Sequence, residues 1–122
     1  LAPLAAEGVL VIGSGAMTHN LQRFFGLRGQ VKGVEPDVAA FQDWVQERGV
    51  TRDWEALFDY RRQAPSAALQ HPTDEHWLPF YVAAGAGGAE HPAVRIHQSV
   101  DSGVLAMDGY AFGPGAAELA AA

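Results

Sequence analysis

The run Gly8-Val9-Leu10-Val11-Ile12-Gly13 constrains the fold more than any other segment of the chain. Consecutive aliphatic side chains bounded by glycines leave no face for water, which suits a strand buried on both faces of a sheet covered by helices. Gly13-Ser14-Gly15-Ala16-Met17 then reads as a tight loop at the end of that strand. Such strand ends are where α/β proteins present functional side chains, and His19 follows directly. The two glycines invite a nucleotide-site reading, but Thr18 stands where the dinucleotide fingerprint has its third glycine, and no Walker lysine is present. They are read as letting the backbone turn sharply and hold His19 in place.

Helical spacing comes next. Thr18 or Asn20 is a cap for a short helix through Phe25, and Gly26 to Pro36 reads as a loop. From Asp37, the positions of Val38, Phe41, Trp44 and Val45 predict a helix that Gly49 would cap. Asp53 opens a second helix in which Trp54, Leu57 and Phe58 share a face, so Trp44, Trp54 and Phe58 are read as core. His71-Pro72-Thr73-Asp74-Glu75-His76 leads into an apolar stretch, Trp77 to Ala84, that predicts a buried helix with Pro72 at its first position. Pro79 would distort that helix from inside. The remainder alternates: Val94 to Ser99 and Val104 to Phe112 predict two strands joined by turn chemistry at Asp101-Ser102-Gly103. The class is α/β, with a mixed sheet covered by helices. Residues 1–122 form a single domain or part of one, and 116–122 read as an Ala-rich tail.

Charge and cysteine content remove whole classes of function. Eight basic against 14 acidic residues, a net charge of −6, leave no basic stripe for nucleic acid. Arg61 and Arg62 sit beside Asp59 and read as a solvated face. The absence of cysteine excludes disulfides and thiolate metal sites, leaving His, Asp and Glu as ligands, and points to the cytoplasm. No apolar run reaches the ~20 residues of a membrane span, and Leu1 to Gly8 lack the pattern of a signal peptide. Because the chain begins at Leu1 and runs straight into a buried-type strand, its start reads as mid-protein.

The histidines at 19, 71, 76, 91 and 97 are the candidates for chemistry. His91 precedes Pro92 and His97 lies on the polar side of a strand, so both are read as surface residues. The spacing His71-x4-His76 is not that of the helical zinc proteases, and it suits a metal site or a pair of capping and core histidines equally. Trp77 and Tyr81 suit contact with an aromatic ligand and core packing equally well.

Val11-Ile12-Gly13-Ser14-Gly15-Ala16-Met17-Thr18-His19-Asn20 resembles the strand-loop-histidine motif of the class III extradiol ring-cleavage dioxygenases. His71-Pro72-Thr73-Asp74-Glu75-His76-Trp77-Leu78-Pro79, followed by Ala83-Ala84-Gly85-Ala86, is similar to the second signature of their DOPA dioxygenase branch. The segment Trp54-x3-Phe58-Asp59 also fits, and the resemblance runs from about Gly8 to Phe112. It implies the C-terminal part of a catalytic domain with a mononuclear nonhaem Fe(II) site, which zinc can also occupy, acting on a catechol and O2. His19 aligns with the acid–base histidine, also counted among the metal-site residues, and His76 with the metal ligand from the C-terminal half. His71 is expected to shape the substrate pocket or orient the turn, and Asp74 or Glu75 to hold the outer nitrogen of a ligating ring.

The family's remaining ligands are two histidines of its N-terminal half, and no histidine precedes His19. The resemblance therefore implies a partner segment, in cis or in trans, and no activity from this chain alone. Two other readings stand beside it. One is a noncatalytic relative that uses the fold as a binding module. The other is a structural fragment that takes adventitious zinc through His71 and His76.

Overall fold

In the computed structural model, which describes residues 1–122, short polar side chains set the helix starts. After α1 (Ala2–Ala6), Asn20 opens α2 (Leu21–Leu27) by accepting the Arg23 N–H at 2.9 Å, so Asn20, not Thr18, is the cap. Pro36 begins the longest helix, α3 (Pro36–Val50). Gly49 lies inside α3 and Thr51 ends it. The glycine serves a close approach rather than a cap: a Cβ there would sit 2.7 Å from the Cβ of Ala93, whose N–H donates to the Gly49 carbonyl at 3.0 Å. Asp53 caps α4 (Trp54–Phe58) as expected, accepting from Ala56 at 3.2 Å. Short helices α5 (Tyr60–Gln63) and α6 (Ala67–Gln70) follow, then α7 (Leu78–Gly87).

The start of α7 differs from the expectation built on Pro72. Residues 72–77 form turns, and the helix opens at Leu78, so His76 precedes the helix and does not lie in its first turn. Pro79 sits in the first helical turn, where its missing N–H has no intrahelical acceptor to lose, and it distorts nothing.

The β part is two antiparallel ribbons. β1 (Val94–His97) pairs with β4 (Gly109–Ala111), and β2 (Val100–Asp101) pairs with β3 (Leu105–Ala106). The inner ribbon turns through Ser102, Gly103 and Val104, with positive φ at Ser102 and Gly103 (52° and 76°), where the chain reverses between Asp101 and Leu105. Residues 116–122 are more than a tail: α8 (Ala116–Ala121) packs on β1 and β4, with Ala116 buried. No helix is long and apolar enough to cross a membrane.

Val38, Phe41 and Val45 of α3, Leu57, Tyr60, Trp77, Met17 and Val104 form the core. Trp44 and Trp54 pack against its edge, whereas Phe58 is 67% exposed and touches only the Tyr81 ring among the aromatic side chains. One further expectation fails. The run Gly8–Gly13 belongs to no sheet, and Leu10 and Ile12 are 82% and 78% exposed. The α/β class holds, but this run joins neither of the two ribbons.

Candidate active site around His19 and His76

The loop Ala16–His19 is fastened to the segment 70–76 by hydrogen bonds from both sides. Ala16 donates its N–H to the His76 carbonyl at 2.9 Å, and His19 donates its N–H to the Gln70 carbonyl at 2.8 Å. Between them, His71 Nε2 lies 2.7 Å from the Met17 carbonyl. A carbonyl can only accept, so Nε2 carries the proton and Nδ1 is left as a bare, buried acceptor without a partner. Thr18 fixes the loop to the inner ribbon, donating to Val104 O and accepting from Ala106 N, each at 2.7 Å.

The result is that the rings of His19 and His76, 57 positions apart in the sequence, stack with centroids 3.5 Å apart and planes at 21°. Both are half-buried. Gly15 makes this possible, because a Cβ at that position would fall on the His76 carbonyl. Gly13 has the same relation to the Pro79 carbonyl. The sharp-turn reading of these glycines is therefore complemented by a close-approach one.

His71 does not share this position. It is fully buried among Phe41, Tyr60 and Trp77, outside the lining of the adjoining cavity, and burial pushes its imidazole below the usual histidine range. Its place in the fold is to hold the loop that carries His19. Asp74 is bound by the Tyr60 hydroxyl at 2.5 Å and by Arg61 at 2.9 Å, and these partners hold its carboxyl below the usual range. Arg61 is thereby more than a solvated charge, since it also donates to the His71 carbonyl at 2.8 Å. Glu75 lies 3.7 Å from His76 Nε2, beyond hydrogen-bond range. His97 is exposed and contacts Ser99, while His91 is half-buried beside Glu90.

A cavity of about 180 Å³ opens beside His76. Trp77, Phe80 and Phe112 give it apolar walls; Asp108 and Tyr110 give it a polar end. Trp77 is itself 1% exposed and donates its indole N–H to Tyr81 at 2.7 Å, so core and cavity wall are one residue. Asp108 accepts from Gln42 at 2.5 Å and faces Arg95 at 3.4 Å; its burial pushes the carboxyl up against the pull of both partners. The Tyr110 hydroxyl is buried with no hydrogen-bond partner, and burial raises its pKa strongly. Sequence reasoning missed both residues. The available signal was an acid inside the otherwise apolar segment Val104 to Phe112.

Comparison with known proteins bears on what this arrangement is. The chain is 40% identical over 112 residues to a 4,5-DOPA dioxygenase extradiol of Beta vulgaris, and 38% identical over 116 residues to that of Portulaca grandiflora. The protein of the same name from Mirabilis jalapa is 32% identical over 115 residues. The alignments take in 92–93% of this chain. Over these residues the chain is similar to extradiol DOPA dioxygenases. It spans 41–42% of the length of these curated relatives. No family model matches it.

The resemblance to extradiol dioxygenases implies a metal, and the residues present can be tested for one. Two adjacent imidazoles are suitable donors, but their stacked rings carry the nitrogens side by side rather than converging on a point. No group of three or more His, Asp or Glu side chains is placed to hold an ion. The residues of this chain do not form a metal site by themselves.

Proposed function

We propose that this chain is the part of an extradiol aromatic-ring-opening dioxygenase that carries the acid–base histidine, one metal-ligating histidine and a wall of the ring pocket. The observation that carries this reading is the stacking of His19 on His76, which itself lines an aromatic-walled cavity. The remaining ligands belong to the part of the relatives' length that this chain does not span. Fe(II) is the assigned metal, with zinc as a competitor, and it would bring the two catechol oxygens and O2 together.

Ring opening of this kind breaks a ring bond beside the diol and places both atoms of O2 in the product. The diol must therefore give up protons and a proton must be returned. An imidazole titrates in the range where both transfers occur near neutral pH, so His19 is assigned as the group that accepts and returns them, with His76 as the ligand. Phe80, Trp77 and Phe112 suit the faces of an aromatic ring, while Asp108 and Tyr110 suit its polar substituents. His71 is reassigned from substrate contact to positioning, because it is buried and tied to Met17. A catechol such as DOPA is the substrate class, and a cytoplasmic setting suits the absence of cysteine.

The test is turnover by a chimera in which this chain replaces the matching segment of the Beta vulgaris relative. It is loaded with Fe(II) without oxygen, then given DOPA and air, and the absorbance of the ring-opened product is followed. Turnover that His19→Ala and His76→Ala each lower at least ~100-fold supports the assignment. Turnover indifferent to both substitutions overturns it. A folded chimera that binds iron and leaves a panel of catechols intact favours the binding-module reading.

A further inference from the structure

The segment Leu10 to Gly15 runs without helix, turn or bend, yet none of its backbone N–H or C=O groups takes part in a hydrogen bond. No side chain supplies the missing partners. In a strand, successive backbone groups point to opposite edges, so both edges of this segment are open. Backbone donors and acceptors in such a row are a template for further strands. The side chains agree: Leu10 and Ile12 are largely exposed, and the run Val9 to Gly13 lines an apolar cleft with Phe112 and Leu119.

We infer that Val9–Gly15 is a central strand whose two neighbours come from the portion of the relatives' length that this chain does not cover, pairing along both edges. This rests on the proposed function only in naming the partner. Three observations select that partner over another. The open groups are main-chain groups of a segment without turn or bend, so what covers them is β-structure. Both edges are open, whereas isologous pairing of two copies would fill one. The relatives contain more than twice the length of this chain.

The pairing also has a consequence for the site. The segment runs through Gly13 and Gly15 into the loop fastened to His76, so docking along it sets where His19 and His76 stand relative to the absent ligands.

The experiment is coexpression of this chain with the tagged remaining portion of the Beta vulgaris relative, read by copurification and amide hydrogen exchange. The chain alone is expected to be monomeric in sedimentation, with the amides of residues 10–15 exchanging as in an unfolded peptide. In the copurified complex these amides are expected to slow by at least ~100-fold. Val11→Pro removes one edge donor that bonds nothing within this chain. It is expected to leave the melting of the isolated chain unchanged and to weaken association roughly tenfold or more. Failure to copurify, amides that stay fast in the complex, or protection already present in the isolated chain each overturn the inference. Protection that appears with self-association assigns the surface to a second copy, and also overturns it. None of these readouts needs catechol, so a complex with slowed amides and no turnover would sink the proposed function alone. Turnover with fast amides would sink the docking alone.

Discussion

Two neighbouring stretches of backbone, Leu10–Gly15 and Ala16–Asn20, meet at a single peptide bond and have opposite fates. In the second, Ala16, Met17, Thr18 and His19 all make hydrogen bonds to distant residues, and Asn20 caps a helix. Met17 and Thr18 are buried. In the first, no backbone group is bonded and two of its three aliphatic side chains are more than three-quarters exposed. The contrast separates what this chain can specify alone from what it cannot. It carries its own instructions for placing His19 over His76, but only half of a sheet.

The largest effect that separates the two regions is on stability. Trp77 is 1% exposed and packs against the rings of Phe41, Tyr60, His71, Phe80 and Tyr81. Trp77→Ala is expected to cost the isolated chain about 3–5 kcal/mol in urea unfolding. Ile12→Ser, which removes an equally apolar side chain from the open strand, is expected to change it by no more than about 0.5 kcal/mol. Equal losses from the two substitutions would mean that the strand is packed after all.

A smaller effect isolates the hydrogen bonds. Thr18→Val keeps the shape of the side chain but strips Val104 O and Ala106 N of a buried partner. It is expected to cost about 2–3 kcal/mol, because the penalty comes from the orphaned groups as well as the lost bonds. Ser14→Ala, a few residues away, is expected to cost nothing measurable, since the Ser14 side chain is exposed and bonds nothing in the protein. A Thr18→Val protein as stable as its parent would show that the loop is held by packing alone.

What could be read beforehand follows the same division. The α/β class, the Asp53 cap, the turn at Ser102-Gly103 and the two histidine segments were legible, because each is written in local chemistry. The run Val9 to Ile12 reads as a buried strand by its composition, yet the structure gives it neither a strand nor burial, since both depend on partners that a run of aliphatic residues cannot reveal. Proximity to a helix end is visible in the sequence and makes Gly49 read as a cap, whereas the approach of Ala93, 44 positions later, is not visible there. The stacking of His19 on His76 was equally hidden. It depends on the carbonyls of Met17, Gln70 and His76, and main-chain acceptors have no sequence signature.

The smallest expected effect tests the buried imidazole that fastens the loop. Burial lowers the His71 pKa most, the Met17 carbonyl opposes that, and the neighbouring His19 and His76 add to the lowering. A native state that resists protonation binds fewer protons than the unfolded chain does once the pH falls below the ordinary histidine value of 6.5. The stability due to neutral His71 is therefore full above that value and is lost as the pH falls through it towards the lower native value. Between pH 7 and pH 5 the loss from this one group is bounded at about 2 kcal/mol. Asp37, Asp74 and Glu75, whose carboxyls are lowered by Arg23, Tyr60 and Thr73 respectively, lose their contributions at more acidic pH, so the two windows separate. His71→Gln can still donate to Met17 without titrating. It is expected to flatten urea-unfolding stability between pH 7 and pH 5 while His19 stays protected at its amide. Should the slope persist in His71→Gln, the proton is being taken up elsewhere.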